Sequence, residues 1–137
     1  MTKILMAIDG SEHSFKVANE TINLAKSLSA DVSVISVTEV PDHIASDLVA
    51  LYRDKLDKEV QNFLEKIKSY LADKGLNVET IFKAGHPANL ICEVAEEGNY
   101  DMIVIGSRGM GKIKGLLLGS VSNRVVHCAK TSVHIVK

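Results

Sequence analysis

The chain has 137 residues, enough to bury the core of one domain, and we expect a single domain over residues 1–137. Its 16 basic and 17 acidic residues give a formal net charge of -1, which argues against a nucleic-acid-binding protein. The sequence has no signal-peptide layout at its start and no apolar stretch of about 18 residues, so we expect a cytoplasmic protein without a membrane segment.

The first third of the chain is predicted to form a strand, a helix and a second strand. The apolar run 3–8 stops at Asp9-Gly10-Ser11, which predicts a buried strand, a turn, and Ser11 as the N-cap of a helix. Apolar residues at steps of three and four give that helix one buried stripe: Phe15, Ala18, Ile22, Ala25 and Leu28. The β-branched run 31–37 predicts the second strand.

The longest element spans about 44–74 and is predicted to be a helix that ends at Gly75. Its apolar face consists of Leu48, Leu51, Leu56, Val60, Phe63, Leu64, Ile67 and Leu71. Residues 77–84 then predict a strand, and Pro87 opens a helix that ends at Gly98. A strand over 101–105, a glycine-rich stretch, a helix over 120–129 and a strand over 132–136 complete the chain.

Strands that alternate with helices indicate an α/β fold, with a doubly wound parallel sheet covered by helices on both faces. We predict five strands in the order 3-2-1-4-5, which places the reversal of winding between strands 1 and 4. Ligands of such sheets bind beyond the carboxyl ends of the strands that flank the reversal. The turn at Asp9 and the glycine-rich stretch both lie there.

The glycine-rich stretch contains five of the nine glycines: Gly106, Gly109, Gly111, Gly115 and Gly119. Glycine lets backbone N–H groups approach a phosphate, and the helix that begins near Ser120 adds free N–H groups and a positive dipole. Arg108 adds positive charge, so the stretch suits an anionic ligand such as a nucleotide; a merely flexible loop is the alternative. A Walker A loop is disfavoured, because Ile113 stands where a Mg²⁺-binding Ser or Thr is required.

The spacing of Gly106, Gly109 and Gly119-Ser120 resembles Gly-x2-Gly-x9-Gly-[Ser/Thr], the motif of nucleotide-binding universal stress proteins. The resemblance extends over the whole chain, with similar segments at 4–11, 33–37, 85–87 and 116–121. It implies the adenine nucleotide alpha hydrolase-like fold and binding of ATP, with AMP and ADP as alternatives. The implied nucleotide-binding residues are Ala7, Ile8, Asp9, Val37, Gly106, Arg108, Gly109, Gly119, Ser120, Val121 and Ser122.

The same resemblance implies a divalent cation, Mg²⁺ or Mn²⁺, that is held mainly by the phosphates. It also implies a homodimer that pairs the edge strand of each copy, formed by Ser132, Val133, His134, Ile135 and Val136. The glycine-rich stretch contains no Glu, Asp or His to act as general base, so efficient ATP hydrolysis is not expected.

The sequence is compatible with three functions. The first is a nucleotide-responsive regulator of the stress response with slow hydrolysis at most. The second is a dimeric interaction module that binds a client protein without nucleotide, and the third is an enzyme of adenylyl or phosphoryl transfer. The third requires a second acidic or basic group near Asp9, which the sequence does not identify.

Neither the cysteines nor the histidines predict a site. Cys92 and Cys128 show no metal-binding spacing, and we expect packed free thiols, as in a reducing compartment. The five histidines show no paired-ligand spacing, so we expect no metal or catalytic role for them.

Overall fold

The computed structural model describes residues 1–39, 46–108 and 118–137. Strands and helices alternate through these ranges, as the sequence predicts. The elements are β1 (Lys3–Ile8), α1 (His13–Leu28), β2 (Asp31–Glu39), α2 (Ser46–Asp73), β3 (Glu79–Gly85), α3 (Pro87–Glu97), β4 (Met102–Gly106), α4 (Ser120–Cys128) and β5 (Ser132–Val136).

The five strands form one parallel sheet in the order β3-β2-β1-β4-β5, which confirms the predicted topology. Strand β1 lies between β2 and β4, with Ala7 paired to Ile35 on one side and to Ile105 on the other. The carboxyl ends of these three strands therefore meet at one edge of the sheet, where the winding reverses.

Each face of the sheet carries its own apolar core. Helices α1 and α2 cover one face, where Met6, Val34 and Val104 are fully buried. Helices α3 and α4 cover the other, over Leu5 and Ile103. Alternate residues of each strand enter opposite cores, as expected for a sheet covered on both sides.

The first turns of α2 depart from the sequence prediction. Leu48 and Leu51 belong to the predicted apolar stripe but are 55% and 74% exposed. A helix of 28 residues is about 42 Å long, whereas the nine residues of β2 span about 30 Å. The amino-terminal turns of α2 therefore extend past the sheet, and burial on the sheet is confined to its later residues, such as Leu64, Ile67 and Leu71.

The prediction of free thiols is wrong. Cys92 of α3 and Cys128 of α4 form a disulfide, with their Cα atoms 6.2 Å apart. Helices α3 and α4 pack side by side on one face of the sheet, which brings together two residues that are 36 positions apart. In the part of the chain that the structure describes, no helix is long and apolar enough to cross a membrane.

Candidate functional site

A cavity of about 370 Å³ lies beyond the carboxyl ends of β1, β2 and β4, a volume typical of small-molecule sites. Ten of the eleven predicted nucleotide-binding residues line it: Ala7, Ile8, Asp9, Val37, Gly106, Arg108, Gly119, Ser120, Val121 and Ser122. The eleventh, Gly109, lies outside the described residues, as do Gly111 and Gly115. The structure thus brings together residues from four separate segments, while their contacts with a nucleotide stay a prediction.

The turn after β1 is built around the carboxylate of Asp9. Its Oδ1 accepts hydrogen bonds from the Ser11 backbone N–H at 3.0 Å, from Ser11 Oγ at 2.6 Å and from Ser14 Oγ at 3.4 Å. Gly10 has a φ of +87°, a value that L side chains rarely adopt, and so lets the chain turn directly after Asp9. These contacts hold the carboxylate at the cavity.

Ser11 does not cap α1, which corrects the sequence prediction. Glu12 occupies the N-cap position, and no side chain there bonds the first turn. The hydroxyl of Ser11 instead donates to Asp9, because the two residues lie in one tight turn with the carboxylate directly in reach.

The first turn of α4 forms the opposite wall. Gly119 is the N-cap and has no side chain to satisfy the N–H groups of the first turn. The Gly119 N–H donates to the Ser107 carbonyl at 2.7 Å, which fixes the start of α4 beside the end of β4. Ser122 Oγ donates back to the Gly119 carbonyl at 3.1 Å. The remaining N–H groups, the helix dipole and the nearby Arg108 together favour an anion.

Gly106 ends β4 against the ring of His13. A Cβ on Gly106 would lie 2.6 Å from His13 Cδ2, closer than real Cβ contacts, and 3.2 Å from Val17 Cγ2, a tight contact. His13 Nε2 lies 3.0 Å from the Val136 carbonyl, which can only accept, so this nitrogen carries a proton and donates. The same carbonyl accepts the Ser107 N–H at 2.7 Å. Packing within the chain thus favours glycine at 106, because a side chain there would have to displace the His13 ring.

Several cavity residues were not predicted from the sequence. His13 and Ser14 come from the first turn of α1, and Thr38 and Glu39 follow the predicted Val37 on β2. Others are apolar residues that close the sides: Val17, Leu56, Val60, Pro87, Ile91 and Ile105. If the second strand had been predicted to continue past Val37, Thr38 and Glu39 would have been placed at this edge of the sheet. The cavity residues of α2 and α3 have no sequence motif that identifies them.

Metal-binding side chains are sparse in the described part of the protein. Residues 1–39, 46–108 and 118–137 contain no group of three or more His, Cys, Asp or Glu side chains that could hold a metal ion. Asp9 and Glu39 are the acidic residues among those that line the cavity. A cation bound among these residues would need other ligands, such as phosphate oxygens.

Comparisons with known proteins identify relatives over the full length of the chain. A model of the universal stress protein family matches residues 1–137. The chain is 35% identical over 149 residues to universal stress protein YxiE of Bacillus subtilis, with 98% of each chain covered. It is 36% identical to universal stress protein MJ0531 of Methanocaldococcus jannaschii, which covers 98% of this chain and 81% of that protein.

Solved structures share the fold. The structure of MJ0577, a universal stress protein of M. jannaschii, superposes with a TM-score of 0.90 at 29% identity, covering 99% of this chain and 95% of that one. A universal stress protein in complex with cAMP gives a TM-score of 0.77 at 24% identity, covering 99% and 97% of the two chains. A complex of the Archaeoglobus fulgidus protein with dAMP gives 0.74 at 19% identity, covering 100% and 98%. The family match and the relatives of 35% and 36% identity show that the chain belongs to the universal stress protein family.

Proposed function

We propose that this protein is a cytoplasmic, ATP-binding regulator that responds to nucleotide, with AMP and ADP as alternative ligands. One observation carries the proposal: the uncapped first turn of α4 opens onto the same cavity as the carboxylate of Asp9 and the end of β2. Bound cAMP and dAMP in two structural neighbours support an adenine nucleotide in this fold.

The arrangement of the walls suggests how ATP would bind. Its phosphates would accept hydrogen bonds from the first turn of α4 and face the charge of Arg108. The ribose would lie near Asp9, whose Oδ1 is already engaged by Ser11 and Ser14. The base would then extend toward the end of β2, at Val37.

A divalent cation, Mg²⁺ or Mn²⁺, would bind with the phosphates. Among the described residues, Asp9 and Glu39 are the acidic groups of the cavity, so we expect phosphate oxygens to provide most ligands. His13 Nε2 bonds the Val136 carbonyl and Asp9 Oδ1 accepts from two serines, and the glycine-rich stretch contains no Glu, Asp or His to act as general base. We therefore expect slow hydrolysis at most.

Two measurements test the proposal directly. Purified protein is denatured, and the released small molecules are identified by mass spectrometry. Nucleotide-free protein is then titrated with ATP, ADP and AMP in a calorimeter with MgCl2 present. Saturable binding with one site per chain supports the proposal. Absence of binding to any adenine nucleotide would refute it and favour the nucleotide-independent interaction module.

A pair of arginine variants locates the phosphates. Arg108 lines the cavity, whereas Arg124 lies exposed on α4 and does not line it. Replacement of an exposed cation at a phosphate lowers affinity by about fivefold, so we expect this loss for Arg108→Gln. Arg124→Gln changes the net charge equally and should bind ATP as the wild type does. Equal losses in both variants would show that only the overall charge matters.

A further inference from the structure

Thr38, near the end of β2, has a buried hydroxyl without a hydrogen-bond partner. The residue is 3% exposed, and within the described ranges its Oγ1 and Asp57 Oδ1 are the buried side-chain oxygens that lack a partner. Other buried hydroxyls are paired: Thr21 Oγ1 donates to the Val17 carbonyl at 2.8 Å, and Ser36 Oγ to the Ile8 carbonyl at 3.0 Å. An unpaired buried hydroxyl destabilises a fold and needs a physical explanation.

The position of Thr38 supplies that explanation, because it lines the cavity. Side chains of β2 alternate between the two faces: Val34 packs with α1 and α2, whereas Val37 packs with α3 and α4. The side chain of Thr38 therefore lies on the face of α1 and α2, and a base on this face would meet Val37 through its backbone rather than its side chain. On this face the cavity is walled by the apolar side chains of Val17, Leu56 and Val60 and by His13 and Ser14 of α1, whose polar atoms bond the Val136 carbonyl and Asp9.

The sheet order fixes which part of a nucleotide reaches Thr38. Strand β2 is two strands away from β4, and neighbouring strands are about 4.8 Å apart. Thr38 is thus about 10 Å across the sheet from β4, the strand that leads to the phosphate-binding turn of α4. A nucleotide extended across this edge, with its phosphates at α4, has its base at the end of β2.

We infer that the Thr38 hydroxyl recognises the base of the nucleotide and accepts a hydrogen bond from the 6-amino group of adenine. The inference rests on the proposed function and adds to it a residue that determines base specificity. Apolar walls beside one unpaired hydroxyl suit the chemistry of a purine base, which has apolar faces and a polar edge. Without ligand the hydroxyl oxygen has no partner, and with ligand it accepts one hydrogen bond.

The stability and the affinity of Thr38→Val should change in opposite directions. Valine keeps the shape and removes the unpaired hydroxyl, so we expect the Tm without ligand to rise by about 4 °C. The affinity for ATP should fall by about tenfold, because the 6-amino group loses its acceptor. Thr21→Val is the matched control, because its hydroxyl is equally buried but paired and remote from the cavity; it should show no rise in Tm and unchanged affinity.

An ATP analogue that lacks the 6-amino group completes the test by calorimetry. The wild type should bind this analogue about tenfold more weakly than ATP, and Thr38→Val should bind both ligands equally. A Thr38→Val protein that binds ATP as tightly as the wild type overturns the inference, and so does one that loses equal affinity for both ligands. A wild type that binds neither ligand refutes the proposed function itself, and the inference with it.

Discussion

At Gly106, the absence of a side chain allows α1 to approach β4, beside the end of β5. The His13 ring occupies the space that a Cβ would need and donates to the Val136 carbonyl, so α1, β4 and β5 meet at this point. The sequence motif predicts glycine here for close approach of a phosphate. The structure adds a second reason, which is the packing of the chain against itself.

This packing makes a quantitative prediction for Gly106→Ala. The added methyl group must displace the His13 ring, and overpacking of this kind costs about 1 to 3 kcal/mol of the free energy of unfolding. Urea denaturation of the variant measures the loss. In a His13→Ala background the space is open, so the same substitution should cost much less. Equal costs in both backgrounds would contradict the proposed role of the ring.

Residues that line the cavity could be predicted from the sequence where a local motif encodes them. Asp9 follows an apolar run, and Gly119-Ser120 precedes a helical pattern, so both were identified from their neighbours in sequence. The roles of His13 and Thr38 could not, because each depends on what a distant element places beside it: β4 and β5 for His13, and α1 and α2 for Thr38.

Among the secondary-structure elements, α3 and α4 are the pair joined covalently in the described structure. Cys92 follows Ile91, a cavity residue of α3, and Cys128 is the last residue of α4, whose first turn also lines the cavity. Neither position predicts the other, because their proximity arises only when both helices pack on the same face of the sheet. For that reason the pattern of apolar residues identified both helices but not their bond.

The disulfide should contribute measurably to stability. Closing a loop across 36 residues removes conformational entropy from the unfolded chain, and we expect about 2 to 4 kcal/mol of stabilisation. Urea denaturation with and without dithiothreitol measures this difference for the wild type. The double variant Cys92→Ser with Cys128→Ser should be less stable than the oxidised protein and insensitive to dithiothreitol. A wild type that is equally insensitive would show that the bond is absent in solution.

For the whole molecule, the sheet order was predictable from the sequence because alternation of strands and helices, together with right-handed crossovers, leaves few topologies. The exposure of Leu48 and Leu51 was not, since a regular apolar stripe does not reveal where the helix extends past the sheet. The sheet order makes β5 an edge strand, and we propose that this edge pairs with a second copy of the chain.

A proline in β5 tests this homodimer. Val133→Pro removes a backbone N–H and should disrupt edge pairing, giving the molar mass of a monomer by light scattering. Val133→Ala keeps the N–H and should remain a dimer. Circular dichroism of both variants verifies that the sheet is intact. A dimer that persists in a folded Val133→Pro protein would exclude this edge as the interface.

The Val136 carbonyl has a consequence for the order of events during synthesis. It accepts hydrogen bonds from the Ser107 N–H and from His13 Nε2. These bonds connect β5, the last of the described elements to be translated, with the end of β4 and with the first turn of α1. A nascent chain that lacks residues 132–136 cannot satisfy these two donors. The cavity residue His13 therefore gains this partner only after β5 has been translated, although β1, α1 and β2 are available long before.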